Sequence, residues 1–210
     1  MLDSHEWLEL CSDDLREFYY TFRVSHTRAR RNVLRAVLRD SFVRTLSCWS
    51  PDLAGSALCP ALAVLAIGDN LAVEIAQSAH EGLLRSVGAL EPSERVVARR
   101  PLPRGPFYEM LNIDDHTSLL RVSHAGTSHS AVASSPERRD LRAFEASERE
   151  YKKVGLVQHQ GKRTSRATHA TLVGAEVEGC IGVVSAPLAR LCALTRLTLL
   201  QCQLPRTTLG

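Results

Sequence analysis

The residues in this 210-residue sequence best suited to chemistry are carboxylates standing where apolar segments end. Asp14 follows WLELCSD (residues 7–13), and Asp114 and Asp115 divide FYEMLNIDDHTSLLRV (107–122). A carboxylate at the edge of a core costs free energy unless it is paired or bound to a cation. Ionising two adjacent acids is unfavourable without a metal. If the two strands are neighbours, Asp14 and Asp114 converge on one point. Converging hard oxygen ligands hold Mg²⁺, and two such ions stabilise the attacking and leaving oxygens of phosphoryl transfer. Spacing alone leaves a plainer reading open, since acids are common in the turns at strand ends. Asp14 and Glu17 also have the spacing of a helix capping pair. Leu15, Phe18, Tyr19 and Phe22 likewise have the spacing of a helical core face.

The elements that would position these residues follow from periodicity and punctuation. WLELCSD reads as a short buried strand ending on acid, with Asp13 the solvated neighbour of Asp14. Ser25 caps a helix through about Arg39, with Val33, Leu34, Val37 and Leu38 on its apolar side. Arg28, Arg31, Arg35 and Arg39 fall opposite, as a solvated face or as a stripe that touches phosphates. LAVLAIGDN reads as an apolar strand broken at Gly68. A helix follows from about Asn70 to Val87, with Ala72, Ile75, Ala76, Ala79 and Leu83 at helical spacing. Residues 89–106 hold Pro92, Pro101 and Pro103 and read as a connector. Residues 107–122 read as two strands meeting at a tight acidic turn. The small, polar residues 123–135 read as a mobile loop. Ser135-Pro136-Glu137 starts a helix that stops at Gly155. Residues 171–184 suggest a strand pair around Gly179, and 187–202 a Leu-rich helix.

Composition sets the outer bounds. With 44% hydrophobic and 23% charged residues the chain has a globular mix. The net charge is only +3, but Lys and Arg crowd into 28–44, 95–104, 138–153 and 162–166, which allows a local anionic partner. The 6 cysteines show no CxxC spacing, and reduced thiols in an intracellular protein are the expectation. The longest apolar run, SALCPALAVLAI (56–67), is too short to span a bilayer and contains Pro60, so no membrane partner is expected.

Five segments, in order, resemble the palm of reverse transcriptases, especially those of retrotransposons. DLREFYYTF (14–22) resembles the first palm motif, and IGDNLAVEIAQ (67–77) the second. NIDD (112–115) resembles the YxDD box, GLVQHQGK (155–162) the fourth motif, and LVGAEVEG (172–179) the Leu-Gly strand segment after it. The resemblance covers about residues 7–186. It implies an α+β fold of the polymerase palm type, a small antiparallel sheet with helices packed on one face. It implies nucleotidyl transfer from dNTP to a primer 3′-hydroxyl on an RNA or DNA template, with two Mg²⁺ ions. Asp14 and Asp114 would be metal ligands and Asp115 the paired acid. Tyr19 would stack under the incoming sugar and exclude a 2′-hydroxyl. Gly68 would let the backbone approach the nascent base pair, and Gln77 would lie near the template strand. Lys162 would sit near the triphosphate, where it can protonate the leaving pyrophosphate.

The sequence departs from the family pattern at four places. Asn112 stands for the tyrosine of the YxDD box, Ala66 and Val73 for two prolines, and Ala76 for a phenylalanine. These positions bear on primer and template contacts rather than on the metal site. The resemblance further implies a palm over 1–186, little of the fingers region, and the start of a thumb over 187–210. A catalytically inactive remnant with weak nucleic-acid binding is the alternative expectation.

Overall fold

A computed structural model describes residues 2–123 and 138–203. The loop expected over 123–135 and the helix start at 135–137 lie outside these residues, apart from Ser123. The chain divides into two compact units: Met1–Arg16 with Ala79–Gly210, and Glu17–Ser78.

The larger unit is built on strand β1 (Glu6–Asp14), a hairpin of β2 (Phe107–Asn112) and β3 (Asp115–Ser123), and β4 (Thr164–Ala167). Their order is β2-β3-β1-β4 and every pairing is antiparallel. Helix α3 (Ala72–Ser86) precedes the hairpin and α4 (Arg139–Val154) follows it. That order of elements, β-α-β-β-α-β, is the split βαβ arrangement. The chain is therefore α+β, and this topology hosts many functions.

The two faces of β1 differ because successive side chains alternate. Leu10 packs with Leu172 and Val177 of a second antiparallel sheet, formed by β5 (His169–Leu172), β6 (Ala175–Glu178) and β7 (Val183–Ser185). Gly179 lets the two sheets approach. Its amide donates to Thr168 O at 2.6 Å, its carbonyl accepts from Leu8 N at 3.0 Å, and a Cβ there would meet Leu8 O at 2.3 Å. The opposite face of β1 carries Glu9, Cys11 and Asp13, all buried. On α4 the buried residues Asp140, Ala143, Phe144, Ser147 and Tyr151 form one stripe at helical spacing. Phe144 stacks on His116, which is Asp13's partner across β1 and β3.

This face is unusually polar, and its charged groups are paired. Arg138 bonds Glu9 at 2.7 Å and Asp140 at 2.6 Å, and Arg166 reaches Glu9 at 3.1 Å. Burial alone would raise the Glu9 carboxyl, but the two guanidiniums hold it below the usual range. Glu109 accepts from Leu90 N at 2.6 Å and lies 3.0 Å from His116 Nε2. The α4 helix ends as expected at Gly155, in the left-handed conformation (φ 78). The α3 helix matches its expected span, but its buried face is only in part the expected one. Ala72, Ala76, His80 and Leu84 are buried, while Ile75 and Ala79 are exposed.

The smaller unit corrects three expectations. The helix expected from Ser25 to Arg39 is one turn, α1 (His26–Ala29), with Ser25 Oγ capping Arg28 N at 3.3 Å. Residues beyond it turn their amides to another segment instead. Leu34 N donates to Pro60 O and Leu38 N to Leu58 O, both at 2.8 Å, while Leu62 N donates to Asn32 O at 3.1 Å. Val33, Leu34 and Val37 are exposed. The four arginines therefore share no helical face. The apolar run 62–67 is likewise not the strand expected. Its pairing is limited to isolated bridges, Arg23 with Val64 and, just before the run, Val33 with Ala61, and Ile67 is exposed. Finally, the aromatic run is not a helical core face but a 3₁₀ turn, Phe18–Thr21. Phe18 alone of that turn is buried, edge-on to Phe22 at 4.9 Å. A second short helix, α2 (Asp40–Val43), completes this unit's α-helical elements before α3.

The Leu-rich segment is a helix, α5 (Leu188–Cys202), and among the described residues it buries none of its own.

Candidate active site

The acidic residues meet at one end of the first sheet. Asp14 ends β1 and lies directly across from Asp115, the first residue of β3. The β2–β3 connection is two residues, Ile113 and Asp114, between the paired Asn112 and Asp115. Leu15 N donates to Asp114 O at 3.2 Å, so the turn is also held to the end of β1. The condition on which the carboxylate reading rested, that the two strands adjoin, is thus met.

Lys162 is brought to the same place by the chain after α4. His159 N donates to Asp14 O at 2.8 Å, and Arg16 N to Val157 O at 2.8 Å, so this segment lies along the end of β1. A 3₁₀ turn, Gln160–Lys162, follows and sets Lys162 Nζ 2.6 Å from Asp14 Oδ2. The bond raises the Lys162 ammonium above its usual range. Asp14 and Glu17 form no capping pair, since Glu17 is left-handed (φ 53) with no side-chain cap.

A cleft of about 550 Å³ opens over these groups, lined by Ser12, Asp14, Asp115, Thr117, Lys162 and Arg190 among others. Arg190, near the start of α5, also donates to Gly174 O at 3.3 Å in the β5–β6 turn. The electrostatics are those of crowded carboxylates. Burial, with the Asp14 charge added, pushes the Asp114 carboxyl up. Burial, Asp114 and Asp14 push Asp115 up to about 6.

Asp13 is not the solvated neighbour expected of it. It is 2% exposed and faces the helical side, where Gln158 Nε2 donates to it at 2.9 Å and Arg163 approaches to 3.6 Å. Burial pushes its carboxyl up against Arg163, His116 and Gln158, which pull it down. Asp13 is therefore held by Gln158 and Arg163, although it too is among the residues that line the cleft with Asp14.

The other expected site residues belong to the smaller unit. Tyr19 is half-buried in the Phe18–Thr21 turn. Gly68 has φ +90, a conformation that favours glycine, with nothing within 4 Å of an added Cβ. Gln77 is half-buried on α3. Arg28 is held by both carboxylate oxygens of Asp69, so it is not a free phosphate contact. Arg31 and Arg35 are exposed.

Among the described residues no group of three or more His, Cys, Asp or Glu side chains is gathered closely enough to hold a metal ion as it stands. The donor set nevertheless suits a hard cation. Asp14, Asp114 and Asp115 offer only oxygen, and the raised Asp114 and Asp115 carboxyls mark negative charge that a cation would relieve.

No family model matches the sequence, and no curated protein is significantly similar to it. No helix among the described residues is long and apolar enough to cross a membrane.

Proposed function

We propose that this chain carries a reverse-transcriptase-type palm that binds template-primer and dNTP. Its reaction would be two-metal nucleotidyl transfer to a primer 3′-hydroxyl. The observation that supports this reading best is the register Asp14↔Asp115, with Asp114 in the adjoining turn and Lys162 over Asp14. On folding, three of the five segments bring Asp14, Asp115 and Lys162 to one cleft, with Asp114 in the adjoining turn. The split βαβ topology suits the same reading.

Asp14, Asp114 and Asp115 would hold the Mg²⁺ ions, which when bound would neutralise charge on the reacting phosphate. Lys162 would leave Asp14 for the triphosphate and give its Nζ proton to the departing pyrophosphate. Positioning and charge neutralisation would supply most of the rate. Tyr19, Gly68 and Gln77 keep the roles that the resemblance gives them, around the sugar, the base pair and the template.

One observation favours the second reading, an inactive remnant: Asp14 is already neutralised by Lys162. Primer extension separates the two. Purified chain, a primed RNA template, dNTPs and Mg²⁺ should yield extension that Asp114→Ala abolishes. Extension no greater than that control would leave the remnant as the correct reading.

A further inference from the structure

The turn that presents Asp114 and Asp115 is held from beneath by a histidine that the proposed chemistry does not use. His80, on α3, is 0% exposed. Its Nδ1 lies 2.7 Å from Ile113 O and its Nε2 lies 2.7 Å from the Tyr151 hydroxyl of α4. Burial lowers the imidazole to about 4, so the ring is neutral near pH 7. A carbonyl only accepts, so Nδ1 carries the hydrogen and donates to Ile113 O. Nε2 is then the acceptor, and the Tyr151 O–H donates to it. Tyr151, itself 0% exposed, fixes this tautomer from the opposite helix.

The residue so held is strained. Ile113 has φ 59, in the left-handed region that β-branched side chains rarely occupy. Such a conformation is unfavourable and persists only where the surroundings enforce it. The hydrogen bond from His80 is placed to do so, because it grips the carbonyl at the peptide joining Ile113 to Asp114.

We infer that His80 and Tyr151 form a buried clamp that fixes the Ile113–Asp114 turn and so orients the carboxylates of Asp114 and Asp115. His80 is a positioning residue, acting through Ile113 rather than on substrate. The inference deepens the proposed metal site and rests on it for its functional meaning, but the clamp itself is readable without any metal.

Two variants separate hydrogen bonding from packing. His80→Leu fills the space and removes the donor, whereas His80→Asn keeps a donor at the Nδ1 position. The first readout is amide hydrogen exchange at Leu15, whose N–H donates to Asp114 O. Exchange there should accelerate about tenfold in His80→Leu and return close to wild type in His80→Asn, at matched global stability. The second readout is Mn²⁺ affinity, with Asp114→Ala as the reference for loss of the site. Residues that orient metal ligands typically contribute about 10–100-fold in affinity. His80→Leu should therefore weaken Mn²⁺ binding by about tenfold, with His80→Asn restoring it. Unchanged Leu15 exchange in His80→Leu overturns the clamp. A wild-type chain that binds no Mn²⁺ overturns the metal site, while the exchange readout still decides the clamp.

Discussion

Asp115 shows how the site is tuned at the level of single residues. Its carboxyl is pushed up to about 6 from an ordinary value of 3.8, by burial and then by Asp114 and Asp14. The folded chain thus holds more protons than the unfolded one between those values, and this residue's contribution to stability falls as pH rises through the window. Asp115→Asn should therefore raise the unfolding free energy of the metal-free chain at pH 7 by roughly 1 kcal/mol, after allowance for partial exposure. Below about pH 4 the gain should vanish. Denaturant unfolding of both chains at the two pH values checks this. Arg138 gives the opposite case. Removing its guanidinium takes from the buried Asp140 the partner it has and leaves Glu9 with Arg166 alone, so Arg138→Ala should cost about 3–5 kcal/mol in the same measurement. The cleft acids were legible because apolar residues flank them. Asp13 was misread although strand alternation held the signal, since residues at successive positions must face opposite sides. The partners of His80 were not legible, because a bond between residues 71 positions apart leaves no local pattern.

Among the elements, those with both a period and a terminator were read correctly. The acidic hairpin has apolar runs on either side of a two-residue turn, and α4 ends at Gly155 as expected, although it begins at Arg139 rather than at 136. The helix expected over 25–39 failed for a physical reason. The backbone of 32–38 bonds to 58–62 instead of continuing the helix. Helical spacing is a weak signal when tertiary pairing competes for the same amides. Gly179 marks the element junction most sensitive to change. A Cβ there meets the carbonyls of Leu8 and Thr168 at 2.3 and 2.9 Å, and neither backbone can yield easily. Gly179→Ala should destabilise the chain by about 1–3 kcal/mol or more, read as a lowered thermal midpoint. A midpoint equal to wild type would mean that the two sheets are not held as closely as described.

At the scale of the whole molecule, the sheet end that gathers the carboxylates lies in one unit, and Tyr19, Gly68 and the arginines lie in the other. Nucleic-acid affinity, if the smaller unit contributes, should come from its exposed arginines rather than from Arg28. Arg31→Ala or Arg35→Ala should each reduce the salt dependence of single-stranded binding by about one phosphate contact. Arg28→Ala should instead act through loss of the Asp69 pair and lower thermal stability. The central claim is that the three carboxylates form a divalent-cation site. Mn²⁺ binding, followed by electron paramagnetic resonance with template-primer and dNTP present, tests it most directly. The account predicts two ions about 3.5–4 Å apart, with a coupled signal that Asp14→Ala and Asp114→Ala each abolish. Absent binding, or a signal unchanged in those variants, would contradict it.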